Sequence, residues 1–153
     1  MKKVVKTCKI MPTSILLVSL LVMLGLHFGV SWVQIIPVPW NILGVIPLIL
    51  GIIINILADN ALKIAHTTVK PFQESESLVT GSVYRFSRHP MYLGFSLILL
   101  GVAVFLRSLS PFFVVFVFMI LMEILYIHTE EEMMGEKFGE AWQAYSRKVR
   151  RWI

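Results

Sequence analysis

Two short stretches of this chain carry residues able to do chemistry. The first, LVTGSVYRFSRHPMYLG at 78–94, brings Arg85, Arg88 and His89 to the mouth of an apolar run that opens on Pro90. Proline suits a helix's first turn, where its missing donor is not needed. A helix start with free backbone N–H groups beside arginine and histidine is a natural receptor for a carboxylate or phosphate. Basic residues ahead of an apolar run are equally expected as membrane anchors, and Arg85 fits that reading. The second stretch places Glu123, Tyr126 and Glu130 at i, i+3 and i+7, with Glu131 one step round, so that carboxylates and a phenol line one helix face. An ionisable group inside an apolar segment is costly without a partner, which makes Glu123 a site candidate; a hydrogen bond to a neighbouring helix would also satisfy it. For Glu130 and Glu131 the plain alternative is a solvated helix end.

The elements that must position these groups are built for lipid. Of 153 residues, 57% are hydrophobic and only 15% charged, with a mean hydropathy of +0.79; soluble domains carry about 25% charge. A soluble enzyme and a disordered chain are excluded on these grounds, and a single cysteine, Cys8, excludes a disulfide framework or a cysteine-based metal site. No Asp, Glu, Lys or Arg occurs from Ile10 to Ala58, 49 residues, enough for two spans of about 20. Pro37 and Pro39 place the break between them. The expected architecture is all-α and polytopic, with four transmembrane helices over about 13–32, 40–57, 90–106 and 111–128, and with Trp32 and Trp40 as interfacial anchors. The short link at 107–111 forces the last two into an antiparallel hairpin. A cytoplasmic C-terminal helix follows.

Thirteen of the fourteen Lys and Arg residues fall in the segments before the first helix, between the second and third, and after the fourth; Arg107 alone lies on the other side. The positive-inside rule then puts both termini in the cytoplasm, in a multi-pass integral membrane protein. No small-residue cleavage site supports a signal peptide, and Cys8 reads as a reduced thiol. Anionic lipid head groups account for the net charge of +5, with no nucleic acid partner needed. Gly94 and Gly101 share a face of the third helix, where bare backbone admits a second helix or a ligand. The C-terminal segment, with Phe138, Trp142 and Tyr145 at helical spacing beside basic residues, suits an interfacial helix or the roof of a pocket. His27 is expected to be a hydrogen-bonded interior histidine. No HExxH, CxxC, GxSxG, P-loop or GxGxxG occurs, so zinc hydrolysis, serine hydrolysis and Rossmann cofactor binding lack support.

Taken together, LVTGSVYRFSRHPMYLG and the later Glu130, Glu131, FGEAWQAY and VRRW resemble the isoprenylcysteine carboxyl methyltransferase family and its relatives, the phospholipid N-methyltransferases. The likeness runs from about Ala65 to Trp152. It implies a single integral membrane methyltransferase domain that clasps S-adenosyl-L-methionine between segments 77–94 and 126–152, beneath the C-terminal helix. A lipophilic or prenylated substrate would reach it sideways from the bilayer. The implied cofactor contacts are Ser77, Leu78, Val79, Tyr84, His89, Pro90, Met91, Tyr92 and Glu130. Arg88 and His89 suit the cofactor carboxylate, Glu130 a ribose hydroxyl or ammonium, and Tyr92 offers an aromatic face to the sulfonium or adenine.

Three positions depart from the family pattern, the mildest being Trp142 where the family has the tyrosine after FGxx. The arginine that carboxyl methyltransferases carry one turn before Glu130 is matched by Tyr126, and a loop glutamine or asparagine by Val69. A carboxylate acceptor would then need Arg85 or Arg88 as its anchor, whereas an amine acceptor would need Glu123 or Tyr126 as a base. Arg88, Glu123 and Tyr126 are therefore the expected catalytic residues, and His89 is expected to face Glu130 across one cavity. The alternatives from other classes are an NADPH-dependent membrane reductase and a non-enzymatic scaffold.

Overall fold

The computed structural model describes residues 10–29, 33–67 and 77–153; Trp32, Cys8 and Val69 lie outside them. Among the described residues there is no β-strand, only a single backbone bridge between Gln34 and Ser108. The helices are α1 (Pro12–Gly29), α2 (Val45–Ile64), α3 (Pro90–Leu106), α4 (Ser110–Met122) and α5 (His128–Lys148). A 3₁₀ turn, Trp40–Gly44, leads into α2, another, Ser82–Arg85, precedes α3, and a π turn, Glu123–Ile127, joins α4 to α5. Among the described residues, three helices are long and apolar enough to cross a membrane: Pro12–Gly29, Trp40–Ile64 and the helical run Ser110–Lys148. Large apolar side chains such as Leu21, Ile46 and Phe116 are more than 60% exposed, a surface that suits acyl chains and not water.

Helix α3 is the axis of the bundle. It packs on α2 along one side and on α1 and α4 along the other, so Tyr92, Phe95, Leu99 and Ala103 are buried with Met23, Phe118, Met122 and Tyr126. The α2–α3 contact is made by glycine against glycine. A Cβ on Gly51 would lie 2.5 Å from the Gly94 carbonyl oxygen, and one on Gly44 2.5 Å from that of Gly101. Gly94 and Gly101 thus serve helix packing, and their partners Gly44 and Gly51, also seven apart, complete an antiparallel seam that lets the two backbones touch.

Helix boundaries differ from the expectation where polar residues are compatible with helix. Helix α2 runs on past Leu57 to Ile64, with Asp59 and Lys63 paired at 2.5 Å one turn apart. The helix expected over 111–128 does not end at 128, because the π turn carries it into α5 without a break at that point. Helix α3 has the expected bounds. At the end away from the acidic residues, Arg107 adopts a left-handed conformation (φ 67°) that closes the α3–α4 hairpin. Its guanidinium donates to the Ile36 carbonyl at 2.9 Å and to Gln34 at 3.0 Å, while His27 shares a 2.7 Å hydrogen bond with Ser108. The isolated arginine of that side is a staple between loops.

Candidate functional site

The site is assembled at the N-terminal end of α3 by residues as many as 64 positions apart in the chain. Ser87 is buried; its hydroxyl accepts from the His89 N–H (3.2 Å) and donates to the Arg151 carbonyl (3.1 Å). The Arg88 N–H donates to the Arg150 carbonyl at 3.0 Å. The C-terminal VRRW is thereby laid along the entrance to α3. Tyr145 adds a latch, its hydroxyl donating to the Tyr84 carbonyl at 2.6 Å.

Helix α5 can fold back this way because it breaks at Gly139, whose φ of 49° and ψ of −118° no L side chain adopts without strain. Trp142 then lies under the Arg88 guanidinium, 5.8 Å from the ring centroid, and edges Tyr145. We expect Gly139→Ala to cost about 1–3 kcal/mol, the usual size of such backbone strain. Limited proteolysis should show the segment beyond 139 cut faster; unchanged protection would remove the glycine's role.

The π turn sets which carboxylates meet. One extra residue in a turn shifts the side-chain register by about one position, so Glu131, not Glu130, comes into line with Glu123. Both receive Arg151: Glu131 through Nη2 at 2.5 Å and Nε at 3.1 Å, and Glu123 through Nη1. Trp152 Nε1 also donates to Glu123, at 3.2 Å. The expected single face of Glu123, Tyr126 and Glu130 is thus corrected. Glu123 is held by cation and indole; the Tyr126 hydroxyl donates to the Ile10 carbonyl at the start of α1; Glu130 turns to α3.

There Glu130 accepts from the Tyr92 hydroxyl at 2.5 Å and lies 3.4 Å from His89 Nδ1. His89 Nε2 is 3.2 Å from Glu131, which also takes Arg88 at 3.1 Å. The imidazole stacks on Tyr92, ring centroids 5.8 Å apart, and Tyr92 leans on Tyr126 at 6.0 Å. His89 and Glu130 therefore face each other in direct contact. Arg88 retains a buried Nε–H without a partner among the described residues, the kind of group an anionic ligand completes.

Burial alone would lower the His89 pKa, but hydrogen bonds to Glu130 and Glu131, and then their charges, outweigh it and raise it above 6.5. Both ring nitrogens face carboxylates, as an imidazolium requires. A raised folded value means that this pairing stabilises the protein fully below pH 6.5 and loses that contribution as pH rises through the folded value. The melting temperature of wild type should exceed that of His89→Gln most at pH 6 and below, with the gap narrowing above 6.5; a pH-independent gap would refute the charge. The Tyr84 phenol is also pushed up, first by burial and then by the charge of Glu130, so it stays a donor.

Of the other expected contacts, Pro90 is buried at the start of α3 and Met91 is half-buried beside it. Ser77, Leu78 and Val79 are half-buried, with the Ser77 hydroxyl given to the Ala65 carbonyl at 3.0 Å. Arg85 lies outside the cluster, its guanidinium over Phe86. Ser87, Glu131 and Arg151 are central, yet the sequence alone gives none of them a role; it places Glu131 only beside the acidic stripe, and the VRRW and Glu-Glu motifs are the signal for two of the three.

The fold resembles that of the eukaryotic intramembrane Ras methyltransferase ICMT (isoprenylcysteine carboxyl methyltransferase), on which it superposes with a TM-score of 0.64 at 24% identity. That superposition covers 92% of this chain and 51% of the enzyme, so the chain spans about half its length. An uncharacterized protein of Haemophilus influenzae is 35% identical over 63 residues, 41% of this chain and all of that relative. The sequence model of phospholipid methyltransferases matches residues 40–141. The chain belongs to the phospholipid methyltransferase family.

Proposed function

We propose that this protein is an S-adenosyl-L-methionine-dependent methyltransferase whose acceptor is lipophilic and reaches the site from the bilayer. The observation that carries the reading is the meeting of Arg88, His89 and Tyr92 from the mouth of α3 with Glu130 and Glu131 from α5 at one end of a lipid-exposed bundle. We read α3 as a fourth span, its 17 residues being just sufficient, and both termini as cytoplasmic, from the distribution of basic residues.

The donor set fits the cofactor. Arg88, with its unmatched Nε–H, and His89 would take its carboxylate; Glu130 would take a ribose hydroxyl or the ammonium group; and Tyr92 would present an aromatic face. Ser77, Leu78, Val79, Tyr84, Pro90 and Met91 would line the remainder. Bound there, the cofactor supplies an electrophilic methyl carbon on a positive sulfur. The protein's part is alignment and exclusion of water; orientation of this kind is worth about 7–11 kcal/mol. Trp142 and the latched tail form the cover.

The main reading of the acceptor is a prenylated or otherwise lipophilic carboxylate, which attacks without a base and would be anchored by Arg88. A second reading, a lipid amine, is favoured by one observation: Tyr126, a neutral residue already donating to Ile10, stands where the carboxyl methyltransferases carry arginine. The deprotonating group would then have to be Glu123, released from Arg151. Methyl-labelled S-adenosylmethionine incubated with the protein, membrane lipid and a prenylcysteine decides between them. Base-labile label marks an ester and stable label an amine; no transfer to either would overturn the proposal.

A further inference from the structure

Each basic pair near the site is divided between two jobs. Arg88 and Arg151 turn inward to the carboxylates, whereas Arg85 and Arg150 remain exposed. Each exposed arginine has an exposed large apolar residue within three positions of it in the chain: Phe86 is 71% and Ile153 77% exposed. The hydrogen bonds from Arg88 to Arg150 and from Ser87 to Arg151 bring these two stretches side by side. The 3₁₀ turn that carries Arg85 packs on α2, which ends in Lys63 and in Ile64, 79% exposed. Lys63 shares its ammonium with Asp59, so the arginines dominate.

Cation beside exposed hydrocarbon is out of place in bulk water and in the bilayer core alike. It fits the boundary between them, where phosphate and acyl chain are adjacent. A free anion would leave the apolar members uncovered, and an uncharged lipid would leave both guanidiniums without the anionic partner that none of the described residues gives them. We propose that this rim binds an anionic phospholipid, with Arg85 and Arg150 on the phosphate-bearing head group and Ile64, Phe86 and Ile153 against its chains. The site lies outside the acid–base cluster and does not depend on methyl transfer.

The test uses the full chain in detergent, titrated with phosphatidylglycerol, phosphatidylcholine and inorganic phosphate, with bound lipid counted by native mass spectrometry. Phosphatidylglycerol should bind at least tenfold tighter than phosphatidylcholine. Arg85→Gln and Arg150→Gln should each weaken phosphatidylglycerol about fivefold, the usual effect of one surface cation near a membrane, and Phe86→Ser should weaken both lipids. Melting temperatures within a degree or two of wild type identify variants that fold. Should a variant fail to fold, the wild-type preference for phosphatidylglycerol, and its decline with added salt, still tests the site. Equal affinity for the two lipids, indifference to both arginine substitutions, or displacement of phosphatidylglycerol by millimolar phosphate would each overturn the proposal.

Discussion

Protein carrying His89→Ala and Glu130→Ala together will bind S-adenosylhomocysteine at least a hundredfold more weakly than wild type and will transfer no measurable methyl group. On the proposed assignment each residue would contribute a charge-assisted hydrogen bond to the ligand, worth about 1.5–3 kcal/mol, and two such losses exceed the roughly 2.8 kcal/mol that separates a hundredfold change. Removing both at once avoids leaving an imidazolium facing an alanine, and Glu131 retains Arg88 and Arg151, so the fold should survive. Glu130→Gln, which can still accept from Tyr92, should be milder. Calorimetry in detergent reads all three proteins, with circular dichroism as the check on folding. A folded double variant with wild-type affinity would dismiss the cofactor assignment at this cluster.

Gly51→Val should be the most damaging single substitution in the membrane part of the molecule. Its new side chain would meet the Gly94 carbonyl and the Ile98 backbone N–H, at 2.5 and 2.9 Å from the Cβ. Backbone cannot yield as a flexible side chain can, so α2 and α3 must separate along their whole seam. Overpacking costs about 1–3 kcal/mol, and against rigid backbone the loss should reach the upper end of that range. Gly94→Ala should be harmful for the same reason, since Asn55 and the Gly51 carbonyl occupy the space over it. Gly25→Ala in α1, where nothing lies within 4 Å, is the control and should be neutral. Thermal melts of the three variants settle the matter; equal stability of Gly51→Val and Gly25→Ala would mean that the seam does not hold the bundle.

What could be read in the sequence was what local chemistry encodes. Pro90 marks the start of α3, the short link at Arg107 forces a hairpin, and the absence of charge from Ile10 to Ala58 announces lipid-embedded helices. His89 and Glu130 were paired from motif likeness, and the structure brings them into contact. What could not be read depends on partners distant in the chain. The π turn has no composition of its own; Arg151, Trp152 and Ile10 hold its side chains, and it exchanges Glu130 for Glu131 in the line with Glu123. Half of the glycine seam was visible in Gly94 and Gly101, but Gly44 and Gly51 acquire meaning only when α2 lies against them. Gly139 sits inside an otherwise uninterrupted helical pattern, and only the latch between Tyr145 and Tyr84 shows why the chain must bend there. Helix α2 outlasts its expected end because Asp59 and Lys63 support each other as well as any apolar pair.

The bare contact between α2 and α3 has a bearing on traffic. Two backbones that touch leave no slot for a hydrocarbon tail, so that flank of the bundle is sealed against lipid. A greasy molecule travelling within the leaflet toward Glu130 has to arrive past some other pair of walls, and a photoreactive acyl probe should label residues there while sparing those that border the glycines.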